Sequence, residues 1–478
     1  MRESEGEPAK GEGLTTGTPS MKGMAGTAAV QASLPRFVTG STMRHVVVMT
    51  AAGSVGLIAI FLVDFLTLIY ISRLGDPHLT AAIGFATIVQ FFAVSISIGL
   101  MIAVGAVVSR ALGSGNRAQA RRLAGSATLL LGAVGLSASL LLLPLLPWLL
   151  GLIGADAATL PVAQRFLWIT LPSNVLMAVG MGFSGVLRAA GDARRSMYVT
   201  VSGGIVVALL DPVLIFALGL GTDGAAIAIV LSRIVFVYVG YWGASGVHDL
   251  VARPRLAHAL DDFRPLAAVG GPAILTNLAP PVANAFLASV VARFGGEAVA
   301  ATTIIDRIVP VAFGGLFALT GAIGPILGQN WGAERFDRMI RALRDGLVFA
   351  ALYVAAIWLM LVLLRAEIVW LFDIRGETAR IVLFFCLVGG PIWFCNGLLF
   401  LANASFNNLG FPLLSTAFNW GRATLGTMPL AYAGAQIGGP EGALVGAGFG
   451  SLVFGLTAVL TAFWTIRKLA RRASQQAP

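Results

Sequence analysis

Long apolar stretches and short polar ones alternate twelve times along this chain. The apolar stretches cover approximately residues 46–71, 79–108, 123–150, 160–186, 197–220, 225–247, 265–291, 298–327, 347–364, 381–402, 412–435 and 443–466. A helix needs about 20 mostly apolar residues to cross the hydrocarbon core of a bilayer, so each stretch predicts one spanning helix. The expected fold class is an all-α integral membrane protein with twelve transmembrane helices.

Composition agrees with the pattern. Hydrophobic residues make up 57% of the chain and charged residues 11%, where a soluble domain carries about 25% charged residues. A net charge of +10 would suit nucleic acid if it formed a patch, but the arginines stand in short clusters between spans. Connections after even-numbered spans hold Arg110, Arg117, Arg121 and Arg122, then Arg188, Arg194 and Arg195, then Arg253, Arg255 and Arg264, then Arg335, Arg338, Arg341 and Arg344. Basic loops stay on the cytoplasmic side, so both termini are expected there, in a multi-pass protein of the bacterial inner membrane. No nucleic-acid partner and no obligate protein partner is expected, and membrane lipids are the expected surroundings of the spans.

Residues 1–43 are rich in Gly, Ser, Thr and Glu without an apolar run and read as a disordered cytoplasmic tail. Cys386 and Cys395 share one span, too far apart along a helix to pair with each other. No nucleotide-binding loop, metalloprotease helix or other catalytic motif occurs, so neither an enzyme nor an ATP-driven pump is expected, and no metal site or cofactor.

Shifted by about 220 residues, the second half of the chain lies over the first. Ser72-Arg73-Leu74-Gly75 meets Ala292-Arg293-Phe294-Gly295, Ala111-Leu112-Gly113 meets Asn330-Trp331-Gly332, and Asp223-Gly224-Ala225 meets Glu441-Gly442-Ala443. Six spans per half make the repeat parallel, an arrangement suited to two bundles rocking about a central cavity. The expected division is a first lobe at 44–247, a linker at 248–264, a second lobe at 265–467 and a basic tail at 468–478.

Two acids interrupt this apolar plan: Asp64 within residues 58–71 and Asp211 within 205–218. A carboxylate at the bilayer centre costs about 2.5–3.5 kcal/mol on insertion scales, so such a residue marks an ion or proton path by default. Under the repeat, Asp64 lies over Asn284 and Asp211 falls near Met428, which leaves the titratable groups in the first half. Pro212 removes a helical donor from the Ala208 carbonyl and predicts a kink beside Asp211.

The motifs together resemble the multidrug and toxic compound extrusion (MATE) family of cation-coupled antiporters. The resemblance is carried by Val63-Asp64 with Arg73-Leu74-Gly75, by Gly185-Val186-Leu187-Arg188-Ala189-Ala190-Gly191-Asp192, by Leu210-Asp211-Pro212, by Gly224-Ala225-Ala226 and by Gly328-Gln329-Asn330-Trp331-Gly332-Ala333. It implies two pseudo-symmetric six-helix lobes in a V, secondary active efflux of organic and often cationic compounds, and coupling at Asp64 and Asp211. Sodium-type members add an Asn and a Thr where this chain has Val207 and Ile229, and its first span has no proline. A proton needs only a carboxylate, so proton coupling is the expectation and sodium the alternative; the proton-motive force replaces any cofactor. A flippase for lipid-linked sugars shares the broad fold, but the assignable mid-membrane charges are acidic, which favours cationic, amphiphilic cargo.

Further candidates for lining the cavity are Asn277, Asn284, Asp306, Asn396 and Asn403, with helix-joining hydrogen bonds as the competing role for the asparagines. Arg165 and Arg233 are expected to snorkel to the headgroups. Arg188 and Asp192 read as a solvated pair at a helix end.

Overall fold

The computed structural model describes residues 35–476, and among these ten helices are long and apolar enough to cross a membrane. The first six are α1 (Thr42–Ser72), α2 (Pro77–Gly113), α3 (Arg117–Leu152), α4 (Thr159–Ala189), α5 (Ala193–Ala217) and α6 (Gly221–Val247). The second six begin with α7 (Leu256–Phe294), α8 (Gly296–Gly332), α9 (Phe336–Leu363) and α10 (Gly376–Leu409). Of these, α8 is a bent pair, Gly296–Ala312 and Gly314–Gly332, meeting at 45°. A continuous run, Pro412–Gln475, spans 64 residues, or about 96 Å as one helix, far more than one crossing. It breaks at Gly438 and Gly439, where φ and ψ leave the helical region. The two parts, 412–437 and 440–475, are α11 and α12, which completes the twelve spans.

The sequence expectations hold for the spans and shift at their edges. The second half starts its first helix at Leu256 rather than at 265, because 256–264 is rich in helix formers and continues the span as one rod. The basic tail likewise stays helical to Gln476. The tail expectation for residues 1–34 lies outside the described residues, but residues 35–43 are ordered, which corrects that part of it. Phe37 is 1% exposed there, held as a strap against the second lobe.

Irregular points have identifiable causes. In α8, Pro310 removes one helical donor, and the hydroxyl of Tyr353 mends the break, donating to the Ala312 carbonyl (2.8 Å) and accepting from the Gly315 amide (3.2 Å). In α4, Pro172 produces a 3₁₀ turn over Leu171–Ser173. Nη1 of Arg233, from α6, donates to the Thr170 carbonyl (2.8 Å), Ser173 Oγ (2.7 Å) and Asn174 Oδ1 (2.8 Å). Arg233 is 4% exposed, so it staples a broken helix and does not snorkel. Arg165, by contrast, is exposed and pairs with Asp223 at 2.5 Å.

The lobes meet at the end that carries residues 35–41 and the basic loops. There α2 and α8 cross so closely that a Cβ on Gly113 would collide with the Gln329 carbonyl, and one on Gly332 with the Arg110 carbonyl. These are equivalent positions of the repeat, so each helix presses its terminal glycine on the other's backbone. The strap adds to the closure: the Phe37 amide donates to Gln329 Oε1 (2.8 Å), Gln329 Nε2 donates to the Ala189 carbonyl (2.6 Å), and Arg36 donates to the Gly191 carbonyl (2.8 Å). Arg338 Nη2 gathers the carbonyls of Phe37, Thr39 and Gly40 at 3.0–3.1 Å. The Gly328–Ala333 and Gly185–Asp192 motifs thus have a physical task, which is to seal one end of the V.

Candidate functional site

Asp211 lies at the end of the α-helical part of α5 and is 0% exposed. Its Oδ2 accepts a hydrogen bond from Thr67 of α1, and its Oδ1 has no partner. No arginine or lysine bridges it among the described residues. The neighbouring helices allow this approach because α1 and α5 pack through small residues, Gly56 against Thr200 and Gly204 against Val63. Pro212 is followed at once by a π-helical segment, Val213–Ala217, in which the Leu218 amide reaches back to the Val213 carbonyl at 2.9 Å. The irregularity expected beside Asp211 takes that form.

Asp64 sits three residues before Thr67 and therefore on the same face of α1. It also lies eleven residues beyond Gly53, about three helical turns, so the two share a face. Gly53 is the residue α1 presents to Ala318 of α8 in the other lobe. Asp64 consequently lies on the face of α1 that meets the second lobe further down, and its side chain is exposed. The structure brings the two acids onto one patch: Asp211 buried beneath, Thr67 bonded to it, and Asp64 one turn away on the exposed side. Thr67 was absent from the sequence reading, although its i+3 spacing from Asp64 was a usable signal.

The remaining candidates divide. Asn277 is half-buried, bonded to its own Ala273 carbonyl (2.8 Å), and two turns from Gly270, which packs on α2 of the first lobe. Asn284 and Asp306 are exposed, and Asp306 has no ion-pair partner among the described residues. Asn403 accepts from Asn419 of α11 (2.8 Å) and Asn396 accepts from Ser451 of α12 (3.3 Å), so both join helices inside the second lobe.

The Arg188–Asp192 pair does not form. Arg188 Nε donates to Ser196 Oγ (3.0 Å), and its guanidinium enters a small cavity between the lobes lined by Met49, Gly53, Ala318 and Gly321. Asp192 caps α5 instead, bonded to the Arg195 amide (3.0 Å), Arg195 Nη1 (2.5 Å) and His248 Nε2 (2.8 Å). Burial works to raise the pKa of this carboxyl, but the bonds from His248 and Arg195 outweigh it and hold the pKa below the usual carboxylate range. The arginine was drawn away because the lobe contact offers it an enclosed polar partner, while the acid is more useful as a cap.

Arg422, on α11, also escaped the sequence reading. It stands on a π-helical segment, Arg422–Thr427, inside the second lobe, and its Nε has no partner.

Known proteins agree with this architecture. The family model MatE matches residues 54–213 and 272–433, one match per lobe. A protein of Shewanella oneidensis described as an FAD transporter is 29% identical over 423 residues, 85% of this chain and 91% of its own length. The multidrug export protein MepA of Staphylococcus aureus is 24% identical over 313 residues, 63% of this chain and 68% of its own. The crystal structure of the Vibrio cholerae MATE transporter VcmN in the bent form superposes with a TM-score of 0.83 at 25% identity, covering 90% of this chain and 98% of that one. Twelve helices in two pseudo-symmetric lobes forming a V, with one family match on each lobe, place this chain in the MATE family of transporters.

Proposed function

We propose that this transporter exports organic compounds across a bacterial inner membrane by alternating access, in exchange for protons bound at Asp64 and Asp211. Its termini and basic loops lie on the cytoplasmic side, so the closed end of the V faces the cytoplasm and the cleft opens outward. The observation that carries the reading is the Asp211 carboxyl, buried without a basic partner and held only by Thr67, one turn from Asp64. No guanidinium or ammonium group among the described residues fixes the charge of that carboxyl, so it is free to gain and lose a proton. Exchange with the cleft is open to Asp64, and release to water at one face resets the pair. Proton rather than sodium coupling is supported by Val207 and Ile229, which offer no oxygen to complete a cation shell.

Asn277 and Asn284 line the cleft as neutral polar contacts for cargo. The relative matched over most of its length carries the name of a flavin-nucleotide transporter, which favours an anionic aromatic cargo over the cationic amphiphile expected from the two acids.

The reading is tested in proteoliposomes by imposing a pH gradient and following cargo exchange with and without sodium. Wild type is expected to respond to the pH gradient alone, and Asp64→Asn and Asp211→Asn to bind cargo without exchanging it. Sodium-driven exchange at a clamped pH would replace the proton by sodium; unimpaired proton exchange in both variants would remove the acids from the mechanism.

A further inference from the structure

The fifth span of each lobe departs from α-helical geometry near a proline, and each carries one charged group there. In α5 the group is Asp211, beside Pro212 and the segment Val213–Ala217; in α11 it is Arg422, opening the segment Arg422–Thr427 ahead of Pro429. Charge is therefore inverted between the lobes at matching spans. Segments of this kind are rare and concentrate at functional sites.

Arg422 lies about 15 Å along α11 from Pro412, too deep to reach the headgroups at either end. A guanidinium at that depth needs acceptors. Arg233 shows what saturation looks like in this protein, with three acceptors around one nitrogen. Arg422 has no carboxylate within 4.0 Å among the described residues, and its buried Nε is unpaired, as is Thr427 Oγ1 at the far end of the same segment.

The surroundings fit a ligand with an anionic group and an aromatic face. Asn419, three residues before Arg422 and so on its face of α11, bonds Asn403 of α10. Asn396 lies two turns from Asn403 on the same face of α10, and its side chain is tied to α12. Arg422 therefore stands at a height between the two asparagines. On that face Asn396 is flanked by Trp393 and Phe400, both half-buried and both packed on the ring of Phe317 at 5.6 and 5.3 Å between centroids.

We infer that Arg422, with Thr427 and the aromatic wall of α10, forms the anion-binding half of the cargo site in the second lobe, taking a phosphate or carboxylate on an aromatic molecule. The inference rests on the export reading above and assigns the lobes different tasks: protons exchange in the first, and the negative group of the cargo is read in the second. Bidentate donation by a planar guanidinium suits both anions, and a lysine would serve less well.

The test uses flavin mononucleotide and riboflavin, which share a ring system and differ by one phosphate, with ethidium as a cationic control. Each is followed in proteoliposomes under an inward-driving pH gradient. The expected result is that Arg422→Gln slows mononucleotide transport at least tenfold and weakens its binding in detergent by a similar factor. Riboflavin and ethidium keep their wild-type rates, and Arg422→Lys falls between. Equal transport of the mononucleotide by wild type and Arg422→Gln would overturn the inference, as would equal losses for all three compounds. Repeating the measurement in liposomes with and without phosphatidylglycerol separates cargo from lipid: an Arg422 effect confined to the anionic liposomes assigns the guanidinium to a headgroup and overturns the cargo site. If wild type moves none of the compounds under a pH gradient while it binds the mononucleotide through Arg422, the coupling reading fails and the site stands.

Discussion

Placing a methyl group on Gly113 or Gly332 tests the closed end of the V directly. In each position the new Cβ would fall within the van der Waals radius of a backbone carbonyl on the other helix, Gln329 or Arg110. Neither carbonyl belongs to a flexible side chain, so relief requires α2 and α8 to move apart. Overpacking of this kind costs about 1–3 kcal/mol. That cost falls only on the conformation in which the helices cross, so it shifts the ratio of the two conformations by about 5–150-fold. The positions are equivalent in the repeat, so Gly113→Ala and Gly332→Ala should act about equally. The double variant should add less than the sum, since the contact has already parted. Spin labels at Ala118→Cys and Arg344→Cys, on a background without Cys386 and Cys395, report the distance between the lobes at this end. The expected outcome is a second, longer distance that grows at the expense of the first, with slower turnover in transport. Two variants with unchanged distance distributions and wild-type transport would refute the reasoning.

Other expectations are open to simpler measurements. Thr67→Val removes the donor to Asp211 and should move the pH dependence of exchange without abolishing it, whereas Asp211→Asn should abolish it; a pH profile for Thr67→Val identical to wild type would exclude a role for the hydroxyl. Arg233→Gln leaves the broken turn of α4 under-supplied with donors and should destabilise the protein by about 1–3 kcal/mol, read as early thermal unfolding in detergent. Asp192 has a folded pKa below its unfolded one, so its contribution is complete above about pH 4 and disappears as the pH falls through the folded value. Asp192→Asn should therefore lower thermal stability at pH 7 by about 1–2 kcal/mol, and the difference from wild type should close in strong acid. Arg338→Ala frees three strap carbonyls and should loosen the closed end, seen as faster proteolysis before Phe37.

Much of this was readable from the chain alone because a bilayer imposes one dominant rule. Twelve apolar runs gave twelve helices, and the repeat offset paired Gly113 with Gly332, the two positions where the structure then places equivalent contacts. The acids stood out because nothing else in their stretches is charged. What escaped were features decided by which helices become neighbours. Arg233 looked like a snorkelling residue until the break at Pro172 appeared beside it. Arg188 looked like a partner for Asp192, one turn away, until the second lobe supplied a better enclosure. The strap at residues 35–41 has too few apolar residues to announce itself, and it is ordered by carbonyls that any sequence would provide. Arg422 was missed although it stands as a lone arginine within an apolar run, the same signal that singled out the acids.

The crossing of α2 and α8 has one more implication. Most contacts between moving parts of a protein involve side chains, which can rotate and yield by degrees. Here main chain rests on main chain, with no rotamer to absorb a partial displacement, so the touch is either present or lost. A machine sealed that way should snap between its two poses, with little time spent ajar, and leakage of protons through half-open intermediates would be correspondingly small.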